Sequence, residues 1–298
     1  MRKILSLFVV ALVFCSTLLQ AQAVIESADG VQVSINDATK IITIGGSISE
    51  TVYALGHGNR VIATDASTTF PPSVFTLPRV PYVRNLTSEG ILSLSPTLIL
   101  SSDDANPASA IQQIRDAQVD ILLIEEDESL EGVIKKLEII GKVLGAEDKA
   151  LEIIEENQSK YATAENLRSD FSTKPTVMFV LAVRGGSSFM IGGKNTGASK
   201  MIELAGGINA FDSFEGYKTA TNESILAANP DFILVMQSRY DEISDGISNT
   251  PGVNLTVAAQ KNQVIGMDGN LLLGFGPRFG SAILDLMKRI HPEKSLDF

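Results

Sequence analysis

A chain of 298 residues, 44% of them hydrophobic, is long enough for two domains of ordinary size, each with a core of its own. Its 35 acidic against 24 basic residues give a formal charge of −11, which argues against nucleic acid as a partner because phosphate binding needs a basic surface. One cysteine and two histidines likewise speak against a thiolate or multi-histidine zinc site.

The first residues read as an export signal. Arg2 and Lys3 precede an apolar run over residues 4–19, and Ala21, Gln22 and Ala23 form an A-x-A cleavage pattern. The run of about 16 apolar residues is short of the roughly 20 that span a bilayer. Cys15 lies inside it behind Phe14, a poor fit for lipoprotein processing, so lipid anchoring there is not expected. Cleavage after Ala23 removes Arg2 and Lys3, leaving 22 basic against 35 acidic residues and a formal charge of −13.

From there, strand and helix signals alternate. Residues 40–44 form a β-rich run stopped by Gly45 and Gly46, and Ser47 is placed to cap a helix reaching Leu55. Residues 61–64, 97–100 and 121–124 are further strands, the pattern of a parallel sheet covered on both faces. After Ser129, Leu130, Val133, Ile134, Leu137, Ile140 and Val143 recur at helical spacing, Gly145 punctuates, and a charged helical stretch runs to about Ser169. The alternation restarts at residues 176–181 and includes a strand over 232–235. The expected organisation is a signal peptide (1–23), an N-terminal lobe (24–128), a helical linker region (129–170) and a C-terminal lobe (171–298). The expected fold is therefore α/β, two lobes with mainly parallel sheets joined by a long rigid helix, with a ligand cleft between them.

The lobes echo one another. Glu89, Gly90, Ile91 and Leu92 precede Pro96 and a strand; Glu223, Ser224, Ile225 and Leu226 precede Pro230 and a strand, at the same spacing. Ligands in open α/β sheets sit outside the carboxyl ends of the strands, so two facing lobes make an inter-lobe cleft. The long segment 65–88 belongs there, and Pro71, Pro72, Pro78 and Pro81 favour a fixed shape for it. Near its end, Tyr82 and Arg84 would share one face if the segment is extended. A neighbouring guanidinium favours a phenolate, and tyrosine is an axial ligand for haem iron. An ordinary loop tyrosine beside a solvated arginine is the alternative.

In these pieces the chain resembles the periplasmic haem-binding proteins of bacterial ABC importers, within the class that also carries siderophores and cobalamin. The resemblance rests on Ile44-Gly45-Gly46 with Glu50, Asp65-Ala66-Ser67-Thr68, Tyr82-Val83-Arg84, the two E-x-I-L pieces, Ala205-Gly206-Gly207-Ile208-Asn209, and Leu273-Gly274-Phe275-Gly276-Pro277-Arg278. It implies a non-enzymatic carrier that holds haem as transported cargo, with Tyr82 as axial ligand and Arg84 supporting it. It implies that Glu89 and Glu223 engage arginines of the membrane permease, and it places an outer-membrane haem receptor upstream. Some members have a histidine near residues 181–186, where this chain has none. Arg184, Lys194 and Arg239 become candidates for the haem propionates, or are surface charges. Phe189, Met190 and Phe275 are candidates to pack on the porphyrin, and Arg278 to brace the last helix.

Other readings have less support. A Ser-His-Asp hydrolase needs a positioned histidine, and only His57 and His291 exist. Gly274, Gly276 and Gly280 have the wrong spacing for a dinucleotide loop. Asp103 and Asp104 could join a metal site, but adjacent loop acids are usually solvated. A ferric siderophore or cobalamin carrier of the same fold is the nearest rival.

Overall fold

The computed structural model describes residues 23–185, 187–294 and 296; the signal-peptide residues 1–22, with Cys15, lie outside them. The N-terminal lobe opens with a hairpin of β1 (Ala23–Glu26) and β2 (Gln32–Ile35). Then follow β3 (Ile41–Ile44), α1 (Gly46–Ala54), β4 (Val61–Asp65), β5 (Arg79–Val80), α2 (Ser88–Leu92), β6 (Leu98–Ser102), α3 (Ala108–Asp116) and β7 (Asp120–Ile124). Strands β3 to β7 form one parallel sheet in the order β5-β4-β3-β6-β7.

Every residue of β3 and β6 is buried, which is why neither shows the alternation of a strand with one solvent-facing side. Alternate side chains go to opposite faces. Ile42, Ile44 and Ile99 pack with Ile91 of α2 and Ile111 and Ile114 of α3. Ile41, Leu98 and Leu100 pack on the other side with Ile48 and Val52 of α1.

The helical stretch after β7 is two helices, α4 (Leu130–Leu144) and α5 (Glu147–Ser169). The Ser129 side chain accepts the Gly132 N–H at 3.0 Å and starts α4. Gly145 ends it in the left-handed region at φ 66°, a conformation that costs glycine little. Helix α4 packs on α1 and β1, whereas α5 lies between α4 and the final helix. The long connecting helix is thus α5, with α4 packed on the N-terminal lobe.

The C-terminal lobe comprises β8 (Thr176–Arg184), β9 (Ser188–Gly192), α6 (Gly197–Leu204), β10 (Ile208–Asn209), β11 (Tyr217–Ala220), α7 (Asn222–Ala228), β12 (Phe232–Met236), α8 (Tyr240–Asn249), α9 (Val257–Gln260), β13 (Val264–Met267), α10 (Gly269–Leu273) and α11 (Phe279–Ile290). The sheet order is β11-β9-β8-β12-β13, with β10 also beside β8. Strands β8, β10, β12 and β13 are parallel, and β9 runs against β8 and β11. The short link from Arg184 to Ser188 cannot hold the crossover of a dozen or so residues that parallel pairing needs, so this sheet is mixed.

A single apolar cluster runs from Ile41 and Leu98 through Ile153 and Ile154 of α5 to Phe179, Leu234, Phe279 and Ile283. Each lobe also has a separate cluster on its outer face. The lobes are therefore joined by continuous packing as well as by chain.

Candidate functional site

The N-terminal sheet places its strand ends where a ligand would be expected. Strand order reverses at β3, so the crevice lies beyond the carboxyl ends of β3 and its neighbours. A cleft of about 1220 Å³ occupies that place, above the 300–1,000 Å³ usual for small-molecule pockets. All five strands send residues to its wall: Gly45, Gly46 and Ser47 after β3; Ala66, Ser67 and Thr69 after β4; Tyr82 after β5; Ser102, Asp103 and Asp104 after β6; Glu126 and Glu128 after β7. The facing wall comes from the other lobe, with Met236 to Arg239 after β12, Asp268 to Asn270 after β13, and Leu273 to Phe275.

Segment 65–88 holds a defined path. The Arg79 guanidinium donates to Thr64 Oγ1, the Asp65 carbonyl and the Thr68 carbonyl at 2.7, 2.7 and 2.9 Å. Short helical turns occupy Pro72–Thr76 and Val83–Asn85. Tyr82 stands at the entry to the second turn, 47% exposed, with buried Val83 beside it as an anchor. This part of the loop is laced to the segment after β6: Asn106 N–H donates to the Val83 carbonyl at 2.9 Å, and Leu86 N–H to the Asn106 carbonyl at 2.7 Å.

The turn alters the expected relation between Tyr82 and Arg84. The segment is not extended there, so alternation does not set their directions. Arg84 reaches Asp104 at 2.6 Å and is not among the lining residues. The Asp104 hydrogen bond and charge hold its guanidinium protonated more firmly, with the Tyr82 side chain a smaller influence.

Of the other expected site residues, Arg239 and Phe275 line the cleft and Arg184 and Lys194 do not. Strand β8 continues past the level at which β12 ends, carrying Arg184 out along a hairpin. Strand β9 then runs back, so Lys194 emerges away from the carboxyl edge, 3.7 Å from Glu215. Phe189 is buried in the outer core of its lobe. Glu89 and Glu223 are exposed in the first turns of α2 and α7, matching positions of the two lobes. Arg278 does not line the cleft. Its guanidinium forms a two-pronged pair with Glu50 of α1 at 2.5 and 2.9 Å and lies 3.8 Å from the Phe70 ring centre, bracing one lobe against the other.

The cleft also contains groups that the sequence did not single out. Ser47 does not cap α1; Gly45, at φ 117°, precedes that helix without a side-chain cap. The Ser47 hydroxyl donates to Glu126 at 2.6 Å instead. Glu128 lies at the start of α6, and desolvation, then its neighbours Asp127 and Glu126, push its carboxyl above the usual range. Asp103, Asp104, Glu126, Glu128 and Asp268 make the wall acidic, and Arg239 is the one cation among the described lining residues. Neither His57 nor His291 lines it. Among the described residues no group of three or more histidine, cysteine, aspartate or glutamate side chains is placed to hold a metal ion, so Asp103 and Asp104 have no such company.

Two open α/β lobes, a connecting helix and a cleft at the facing strand ends define a substrate-binding clamp. The Periplasmic binding protein family model matches residues 41–271, and this chain belongs to that family. The periplasmic heme-binding protein RhuT of Roseiflexus sp. RS-1 is similar in structure, with a TM-score of 0.79 and 33% identity, over 86% of this chain and 99% of that one. The ABC transporter substrate-binding lipoprotein YvrC of Bacillus subtilis (strain 168), itself uncharacterized, is 28% identical over 90% of this chain and 85% of its own length. A vitamin B12-binding protein of Pectobacterium atrosepticum is 23% identical over 71% and 74%. Among the described residues no helix is long and apolar enough to cross a membrane.

Proposed function

We propose that this protein is a non-enzymatic carrier that captures haem outside the cytoplasm and hands it to the permease of an ABC importer. The observation that carries the reading is Tyr82: a half-exposed phenol on the wall of a large inter-lobe cleft, on a braced loop, in a chain 33% identical to a haem-binding relative. The phenolate would be the axial ligand to ferric iron. Arg84 beside it supplies positive charge, and Arg239 on the opposite wall is the lining group suited to a propionate.

Delivery uses the exposed pair Glu89 and Glu223, one per lobe, each in a helix first turn where a carboxylate also complements the helix dipole. Docking them on permease arginines fits the acidic character of the chain. The leader would be removed after Ala23 without lipidation at Cys15, and an outer-membrane haem receptor would stand upstream.

A corrinoid or ferric siderophore is the second reading, and the vitamin B12-binding relative supports the corrinoid. An absorption titration with ferric haem, wild type beside Tyr82→Ala, separates them. Saturable binding with a high-spin, tyrosinate-type spectrum that the variant loses is the expected result. No saturable change in the wild type would overturn the haem reading and favour the rival cargoes.

A further inference from the structure

Lys136 is a charged side chain in an apolar place. It sits on the inward stripe of α4 with Val133, Leu137 and Ile140, and only 1% of it is exposed. Its ammonium has three partners: Glu126 Oε2 at 2.5 Å, Ser47 Oγ at 3.0 Å and the Phe275 carbonyl at 3.3 Å. All three partner residues line the cleft. The first two belong to the N-terminal lobe and the third to the other, so the ammonium bridges the lobes directly beneath the ligand space.

Phe275 has a reason to need such a partner. Its backbone is in the left-handed region at φ 45°, which is uncommon for a bulky residue and persists only where surroundings over-determine it. Its ring is fixed on its own lobe by Phe279 at 5.3 Å between centroids. Its carbonyl is fixed from the opposite lobe by Lys136, and the next residue, Gly276, lies against Ser47. An apolar residue at 136 could fill the volume but has no donor with which to hold that carbonyl.

We propose that Lys136 is a positioning residue for the cleft: its buried ammonium pins the Phe275 backbone across the lobe junction and so sets the floor on which the ligand rests. It touches no ligand itself. The proposal concerns the shape of the site, and its affinity arm rests on the haem reading above.

The test compares Lys136→Met with the double variant Lys136→Met/Glu126→Gln. The single change leaves a carboxylate without its buried partner and is expected to destabilise the fold, whereas removing both charges restores stability. Because Glu126 also lines the cleft, haem affinity is read against Glu126→Gln alone: if Lys136 served the fold alone, a stable double variant would bind haem as that control does. Under the proposal affinity remains about tenfold or more below that of Glu126→Gln, while the iron spectrum at saturation keeps its tyrosinate character. Amide hydrogen exchange at residues 274–276 provides a readout independent of cargo, and is expected to stay faster in the double variant than in wild type. Wild-type exchange there in a double variant of wild-type stability would overturn the proposal. Failure of wild type to bind haem would instead count against the cargo and leave the exchange result to judge the pin.

Discussion

Arg84 and Asp104 meet at 2.6 Å with both side chains more than half exposed, and such pairs contribute little to folding. Asp104→Asn is expected to change unfolding free energy by less than about 1 kcal/mol, as read from urea denaturation. Its effect belongs to the site: with Arg84 released, the absorption band of the haem-loaded protein should shift although the fold does not. His291 is the opposite case, a residue that matters to the fold and not to the cleft. It is 1% exposed, its ring lies 4.0 Å from that of Phe171, and Nε2 has no hydrogen-bond partner. Burial lowers its pKa against the opposing influence of Glu293. The unfolded chain therefore binds the proton more readily, and stability falls as pH drops through about 6.5 and below. Melting temperature measured at about pH 7.5 and about pH 5.5 should fall less in His291→Gln than in wild type.

At the level of elements, helix α4 owes its start to one hydroxyl. Ser129→Ala leaves the Gly132 N–H without that partner and should cost about 1 kcal/mol in urea denaturation. Helix α6 offers a less usual case, because the carboxylate at its start belongs to the preceding lobe. Glu128 accepts a bond from the Gly197 N–H, yet its pKa is raised, so loss of solvent and negative neighbours outweigh the helix end. A raised carboxyl pKa means that the folded state holds the proton longer than the unfolded one. Its contribution to stability is present at low pH and is lost as pH rises through the folded value. Glu128→Gln keeps an acceptor for Gly197 without the charge and is expected to raise the melting temperature at neutral pH, with no gain in acid.

Across the whole molecule, the lobes are held by polar bridges as well as by shared apolar packing. Arg278, at the entry to α11, pairs with Glu50 of α1, which is almost fully buried. With its amide turned so that both neighbours are satisfied, Asn270 donates through its nitrogen to the Ser67 carbonyl at 2.9 Å and accepts the Thr69 N–H through its oxygen at 3.2 Å. Breaking one partner of a buried pair costs about 3–5 kcal/mol, and the partial exposure of Arg278 puts this one near the lower end. Arg278→Met should therefore lower the urea midpoint clearly, with Glu50 left uncompensated. These bridges and the stiff α5 connection imply a clamp with little hinge movement between its empty and loaded states.

The alternation of apolar runs with helical stripes, the matched Glu89 and Glu223 segments, and the Tyr82 loop were all legible in the sequence, because each depends on spacing along a few neighbouring residues. The left-handed end of α4 was marked by Gly145 for the same reason. Lys136 shows where that legibility stops: it stands at i+3 from Val133 on an apolar stripe, a signal that something polar is buried, but its partners lie at residues 47, 126 and 275. Arg184 and Lys194 could not be ruled in or out as lining residues without knowing that β9 runs antiparallel. The acidity of the cleft likewise comes from five carboxylates supplied by the ends of β6 and β7 and by the α10 cap, each unremarkable in its own segment. Local patterning fixes which segments become strands and helices, whereas charge pairing across the lobe junction depends on distances that only the packed chain defines.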